Sequence, residues 1–127
     1  MAYQNVLLID DDEDDLEIFC MAVRKVSPEL NCVLLTDPRE ALEKLNTKTI
    51  HPDAIFLDVN MPAMNGLDFL KQLKSSNELS RINVYMISTA SDPSTIASAK
   101  QLGARDFITK PGRLEELVTI LQPIINN

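Results

Sequence analysis

The stretch Leu7–Phe19, LLIDDDEDDLEIF, drives an apolar run into six consecutive acidic residues, Asp10 to Asp15, and then into the start of a helical stripe. Residues 5–9, NVLLI, are short, β-rich and apolar throughout, the pattern of a strand buried on both faces. Apolar residues at 16, 19, 20 and 23 recur at helical spacing and end near Ser27-Pro28. Strand, acidic run and helix make one βα unit, with the apolar stripe of the helix running from Leu16.

The same unit repeats down the chain. CVLLT (32–36) reads as a second strand, and Asp37-Pro38-Arg39-Glu40 as a helix start with Asp as N-cap, Pro at N1 and Glu at N3. AIFLD (54–58) is a third strand, followed by the loop VNMPAMNG (59–66) and a helix that Asn65 caps. NVYMIS (83–88) is a fourth strand. Asp92-Pro93 opens a helix that Gly103 ends in the C′ position. DFIT (106–109) is the fifth strand. The last helix carries Leu114, Leu117, Val118 and Leu121 on one face and is expected to stop or bend near Pro123. Five βα units with short connections predict an α/β fold: a doubly wound, (βα)5 sandwich with a parallel sheet between two helix layers. At 127 residues the chain is expected to be one domain, 1–127, with no length left for an output domain.

The charge is local. Of 19 acidic residues six form the run Asp10 to Asp15, and the other 13 face 12 basic ones. That balance argues against non-specific nucleic-acid binding, which rests on Lys and Arg neutralising phosphates. No apolar segment of 18 residues exists, and the N-terminus lacks the basic and apolar regions of a signal peptide. Cys20 and Cys32 lack CxxC spacing and sit in apolar runs, which reads as free thiols in a reducing compartment. A cytoplasmic protein is therefore expected, without membrane or nucleic-acid partners.

In open parallel sheets the functional crevice lies at the carboxyl ends of the strands. Those ends are polar here: Asp10-Asp11, Asp58, Ser88-Thr89 and Thr109-Lys110-Pro111. Three converging carboxylates repel unless one is protonated or a cation intervenes. Oxygen-only ligands favour Mg²⁺, which keeps several waters and often bridges to a phosphoryl group. Lys110 and Ser88 supply an ammonium and a hydroxyl for a transferred group. A carboxylate can itself be the nucleophile, and Asp58, ending an almost wholly apolar strand, is the best candidate.

Four motifs in order, LLIDDD (7–12), FLDVNMPAMNG (56–66), MISTA (86–90) and GARDFITKP (103–111), give the whole chain a resemblance to a family. Each is weak alone, and the four at these spacings are specific. The chain resembles the receiver domain of bacterial two-component response regulators, most like the stand-alone chemotaxis type. The resemblance implies a flavodoxin-like strand order 2-1-3-4-5, with Asp58 as phosphoacceptor. It implies Mg²⁺ (Mn²⁺ could substitute) held by Asp10, Asp11, Asp58 and the backbone carbonyl of Asn60, with Asp11 the more direct ligand of the acidic pair. It makes Ser88 the switch hydroxyl, with Thr89 beside it, and Phe107 an aromatic switch. Lys110 would pair with the phosphoryl group, and the Lys110–Pro111 bond would be cis. The implied partners are a sensor histidine kinase or histidine phosphotransfer protein and a downstream protein. The signal would pass through the face made by the fourth helix, fifth strand and fifth helix, in a monomer or weak dimer. Thr89, where the family often has Ala, Gly112, where Phe is frequent, and Asp12 to Asp15 depart from the pattern. They are expected to alter phosphoryl lifetime or partner choice.

Plainer readings stand beside these. Asp12 to Asp15 can be a solvated helix start that complements the dipole. Ser88 can be a strand-end hydroxyl, Phe107 a core aromatic, and Met61 and Met64 loop packing. Other functions fit less well. A pseudo-receiver that has lost phosphorylation would be missing the acceptor, the acid pair or the lysine. A haloacid-dehalogenase-type phosphohydrolase wants a second Asp two positions after the nucleophile, where this chain has Asn60. An FMN carrier would need a Ser/Thr-rich loop where this one is acidic.

Overall fold

Alternation of buried strands with one-sided helices leaves little choice of architecture, and the computed structural model, which describes residues 3–89 and 92–126, has that alternation. In chain order the elements are β1 (Asn5–Ile9), α1 (Glu13–Val26), β2 (Asn31–Leu35), α2 (Pro38–Asn46), β3 (Ala54–Asp58), α3 (Gly66–Lys74), a 3-10 turn (Leu79–Arg81), β4 (Asn83–Ser88), α4 (Pro93–Gln101), β5 (Asp106–Thr109) and α5 (Leu114–Ile125). All pairings are parallel. The sheet runs β2-β1-β3-β4-β5, the doubly wound, flavodoxin-like order. Chain progression reverses between β1 and β3, so the crevice falls where Ile9 pairs with Leu57, one residue before Asp10 and Asp58.

Period-two alternation along the strands divides the core. Val6, Leu8, Phe56, Tyr85 and Ile87 pack under α1 and α5. Leu7, Ile9, Ile55, Leu57 and Met86 pack under α2, α3 and α4. Every residue of β3 is buried. Full burial of a side chain such as Phe56 or Leu57 stabilises by about 1.5–3 kcal/mol relative to leaving it exposed. An aromatic column crosses the first layer: Phe19 tilts on Phe56 at 5.1 Å, Phe56 stacks on Tyr85 at 5.0 Å, and Tyr3 meets Tyr85 edge-on at 6.4 Å. The Tyr3 and Tyr85 hydroxyls are 2.7 Å apart.

Caps fix most helix starts as expected. Asp37, Asn65 and Asp92 accept from Arg39, Leu67 and Thr95 backbone N–H groups. Gly103, at φ 104, takes the left-handed conformation that closes α4. Helix α1 starts at Glu13, three residues before its apolar stripe, where the Asp12 side chain accepts from the Asp14 and Asp15 N–H groups and nucleates an all-acidic turn, as the helix-start reading of Asp12 to Asp15 expects. Two boundaries differ from the sequence reading. Strand β2 begins one residue early and is a partly exposed edge. Helix α5 continues through Pro123 to Ile125, where burial of Leu121 and Ile125 outweighs the one backbone bond that proline removes. No described helix is long and apolar enough to cross a membrane.

Candidate functional site

The carboxyl edge of the sheet gathers the acids. Asp10 follows β1 and is buried, and its N–H donates to the Leu35 carbonyl at 3.2 Å. Its Oδ1 accepts from the Asp12 N–H at 3.0 Å, and its Oδ2 from Lys110 Nζ at 2.8 Å. Asp11, next in the chain, is exposed. Asp58 ends β3 and is only 7% exposed. Among the described residues, Asp10, Asp11 and Asp58 each offer a carboxylate oxygen, and all three lie within 4.8 Å of one another.

The loop after Asp58 is pinned from two sides. The Val59 N–H donates to the Ile87 carbonyl at 3.1 Å, and the Gly66 N–H donates to the Val59 carbonyl at 2.8 Å. Gly66 is required by close approach. A Cβ there would lie 2.4 Å from the Asp58 carbonyl oxygen and 2.9 Å from the Val59 Cα. The glycine of the 56–66 motif thus lets α3 start directly beneath the acid.

Lys110 enters from the end of β5, where its N–H donates to the Ser88 carbonyl at 2.8 Å. Its ammonium meets Asp10 at 2.8 Å and Asp15 at 3.1 Å, and stands 3.7 Å from Asp58. One ammonium among four carboxylates leaves the centre strongly negative. Burial first, then the Asp10 charge, push the Asp58 carboxyl up to about 6. Asp11 adds to the rise, while Lys110 and the Asn60 amide oppose it without cancelling it. Burial alone would depress Lys110. The Asp10 hydrogen bond, the Asp58 and Asp10 charges and the Asp15 bond outweigh it and push the ammonium up to about 12. Carboxylates this close, with one held toward its neutral form, are a donor set that a divalent cation fits by charge and by ligand type.

The other residues picked out by the sequence surround this centre. Ser88, buried at the end of β4, accepts from Asn60 Nδ2 at 3.4 Å. Thr89 is exposed. Phe107, opposite Met86 in the β4–β5 register, is half-buried against the α2–α3–α4 layer. Met61 is buried, and Met64 packs against the same layer. The expected cis Lys110–Pro111 bond is corrected: no described peptide bond is cis. Trans is the intrinsically favoured isomer before proline, and the trans chain already brings Lys110 to the acids. Asp15 was legible only as part of a helix start. Its bond to Lys110 joins residues 95 positions apart, which no local pattern signals. Beside Lys110 a cleft of about 360 Å³ opens between α1 and the start of α5, lined by Ile18, Phe19, Met21, Pro111 and Leu114 among others.

Comparison with known proteins agrees with this geometry. Residues 6–122 match the model of the response regulator receiver domain, and the chain belongs to that family. It is 32% identical over 120 residues to the DNA-binding transcriptional regulator NtrC of Klebsiella pneumoniae, covering 94% of this chain and 24% of that protein. The chain thus spans about a quarter of the length of such curated relatives. In structure it resembles the phosphorylated cyanobacterial phytochrome response regulator RcpA, at 28% identity and a TM-score of 0.87, covering 97% of this chain and 91% of that one. It also resembles the chemotaxis response regulator CheY4 of Vibrio cholerae, at 27% identity and a TM-score of 0.81, covering 95% and 98%. Receiver domains are signalling proteins rather than conventional enzymes. They work through phosphorylation, with histidine kinases or phosphotransfer proteins on one side and downstream targets on the other.

Proposed function

We propose that the chain is a Mg²⁺-dependent phosphoacceptor that takes a phosphoryl group on Asp58 from a histidine kinase or a histidine phosphotransfer protein. The observation that carries this reading is the buried Asp58 carboxylate, within 4.8 Å of Asp10 and Asp11 and 3.7 Å from the Lys110 ammonium. Asp10, Asp11, Asp58 and the Asn60 carbonyl would hold the ion, which when bound supplies positive charge against the acids and the incoming group.

An Asp58 carboxylate oxygen attacks the phosphorus of the donor phosphohistidine. The O–P bond forms as the P–N bond breaks, and the imidazole nitrogen keeps the electron pair and takes a proton from solvent. Lys110 balances charge on the transferred group, and the Ser88 hydroxyl donates to one of its oxygens. Thr89 borders that hydroxyl, and Phe107 sits behind it on β5 as the side chain that responds. Later, water attacks the phosphorus, the Asp58 carboxylate leaves with its electron pair, and inorganic phosphate is released. The new contacts of Ser88 and Lys110 bias the α4–β5–α5 face, which passes the state to a downstream protein.

Incubation with acetyl phosphate and Mg²⁺, followed by mapping of the modified residue, tests the reading. One phosphoryl group on Asp58, dependent on Mg²⁺ and lost in Asp58→Asn, is expected. Modification elsewhere, or none from acetyl phosphate or a cognate kinase, overturns it.

A further inference from the structure

Three carboxylates surround the Lys110 ammonium, and two of them, Asp10 and Asp58, belong to the proposed cation-binding set. Asp15 does not. It projects from the first turn of α1, where its N–H joins the Asp12 cap, and its Oδ2 accepts from Lys110 Nζ at 3.1 Å. The distance from Lys110 to Asp58 is 3.7 Å, too long for a hydrogen bond, so the resting ammonium is committed to Asp10 and Asp15 rather than to the acceptor. The pair is well enclosed on the lysine side, at 17% side-chain exposure, and open on the Asp15 side, at 41%. One partner can therefore let go into water at small cost.

We propose that Asp15 is a positioning residue that holds Lys110 in the resting state and competes for it when Asp58 receives a phosphoryl group. The inference rests on the phosphoacceptor reading above and adds a residue to it. An ammonium has three N–H donors, and a phosphoryl dianion recruits it most strongly when no nearby carboxylate competes. Asp15 therefore acts through Lys110 to weaken capture of the group. The four acids after Asp10-Asp11 divide accordingly: Asp12 caps the helix, Glu13 and Asp14 face solvent, and Asp15 reaches back into the centre.

Beryllofluoride, a phosphoryl analogue, gives an equilibrium test with Mg²⁺ present, and Asp14→Asn is the control for net charge on the same helix turn. Asp15→Asn is expected to tighten beryllofluoride binding about two- to fivefold beyond Asp14→Asn, the range an exposed ion pair supports. Equal shifts in the two variants, or weaker binding in Asp15→Asn, overturn the proposal. A second readout is the ¹⁵N-edited NMR signal of the Lys110 ammonium in the resting protein. It should shift and exchange faster in Asp15→Asn, stay put in Asp14→Asn and return toward wild type in Asp15→Glu. An unchanged signal in Asp15→Asn also overturns the proposal. Wild-type protein that fails to bind beryllofluoride would count against the phosphoacceptor reading itself, and the Lys110 signal would still decide whether Asp15 holds the lysine.

Discussion

Asp58 and Asp92 are the same side chain, each at a junction between a strand and the helix after it, and the fold treats them oppositely. Asp92 is exposed at the start of α4. Hydrogen bonds from the Ser94 hydroxyl, then from the Thr95 hydroxyl and N–H, hold it down to about 2. Asp58 is buried at the end of β3, where desolvation and the Asp10 charge push it up to about 6. The difference lies in the supply of donors. A carboxylate used to cap a helix is surrounded by hydroxyl and amide hydrogens. The one at the crevice shares a single ammonium with its neighbours and is left short of positive charge, ready for a cation and an incoming phosphoryl group.

Substitution at Gly66 is expected to damage the Asp58 side of this contrast most. Gly66→Ala puts a Cβ 2.4 Å from the Asp58 carbonyl oxygen, and relief by backbone movement should cost about 3 kcal/mol, read by urea unfolding. Asp92 is untouched by that change, so its acid-limb behaviour should persist. A neutral outcome would mean that the β3–α3 junction yields easily and does not fix Asp58.

A smaller effect tests the charge directly. Because the folded protein holds Asp58 above the value of a free carboxylate, the protonated form is favoured in the fold. Its contribution to stability is fully present below about pH 4 and is lost as pH rises through about 6. In metal-free protein at about pH 7.5, Asp58→Asn should therefore be more stable than wild type by about 1–2 kcal/mol, after discounting for water at the cleft mouth. The two should converge near pH 4. An Asp58→Asn protein less stable at both pH values would break the comparison. Excess Mg²⁺ should raise the wild-type Tm and do so less for Asp58→Asn, since only ligands that favour the folded state stabilise it.

The smallest change is expected at Asp92. Asp92→Asn keeps a side-chain oxygen for the cap and loses the charge. The depressed group contributes stability that is present above its unfolded value and lost as pH falls through about 2. Acid titration of the variant should show that limb flattened, with the neutral-pH Tm close to wild type.

Much of this centre was legible because parallel α/β sheets send strand ends to one rim. Asp10, Asp11, Asp58, Ser88 and Lys110 stand at or just past the carboxyl ends of apolar runs, where polar side chains are conspicuous. Residue type and position then suffice. The features that escaped the sequence depend on distances between segments far apart in the chain. Asp15 reads as one more acid in a helix start until Lys110 arrives from the other end. Gly66 reads as a turn residue until the Asp58 carbonyl is seen against it. The trans bond at Pro111 shows the reverse error, a feature carried over by resemblance where the local chain keeps its own preference.

The aromatic column has an optical consequence. The chain has no tryptophan, and its two tyrosines lie together, hydroxyl to hydroxyl, at the base of the column. Near-ultraviolet absorption and emission therefore come chiefly from one place, on the N-terminal segment and β4, with Phe56 stacked between Tyr85 and Phe19. Phe56 stands two residues before Asp58 on the same strand. A spectral change on adding a cation or a phosphodonor would have to pass through β3, β4 or Phe19 of α1 to reach that chromophore, so the native protein carries its own label for whether events at the rim reach the core.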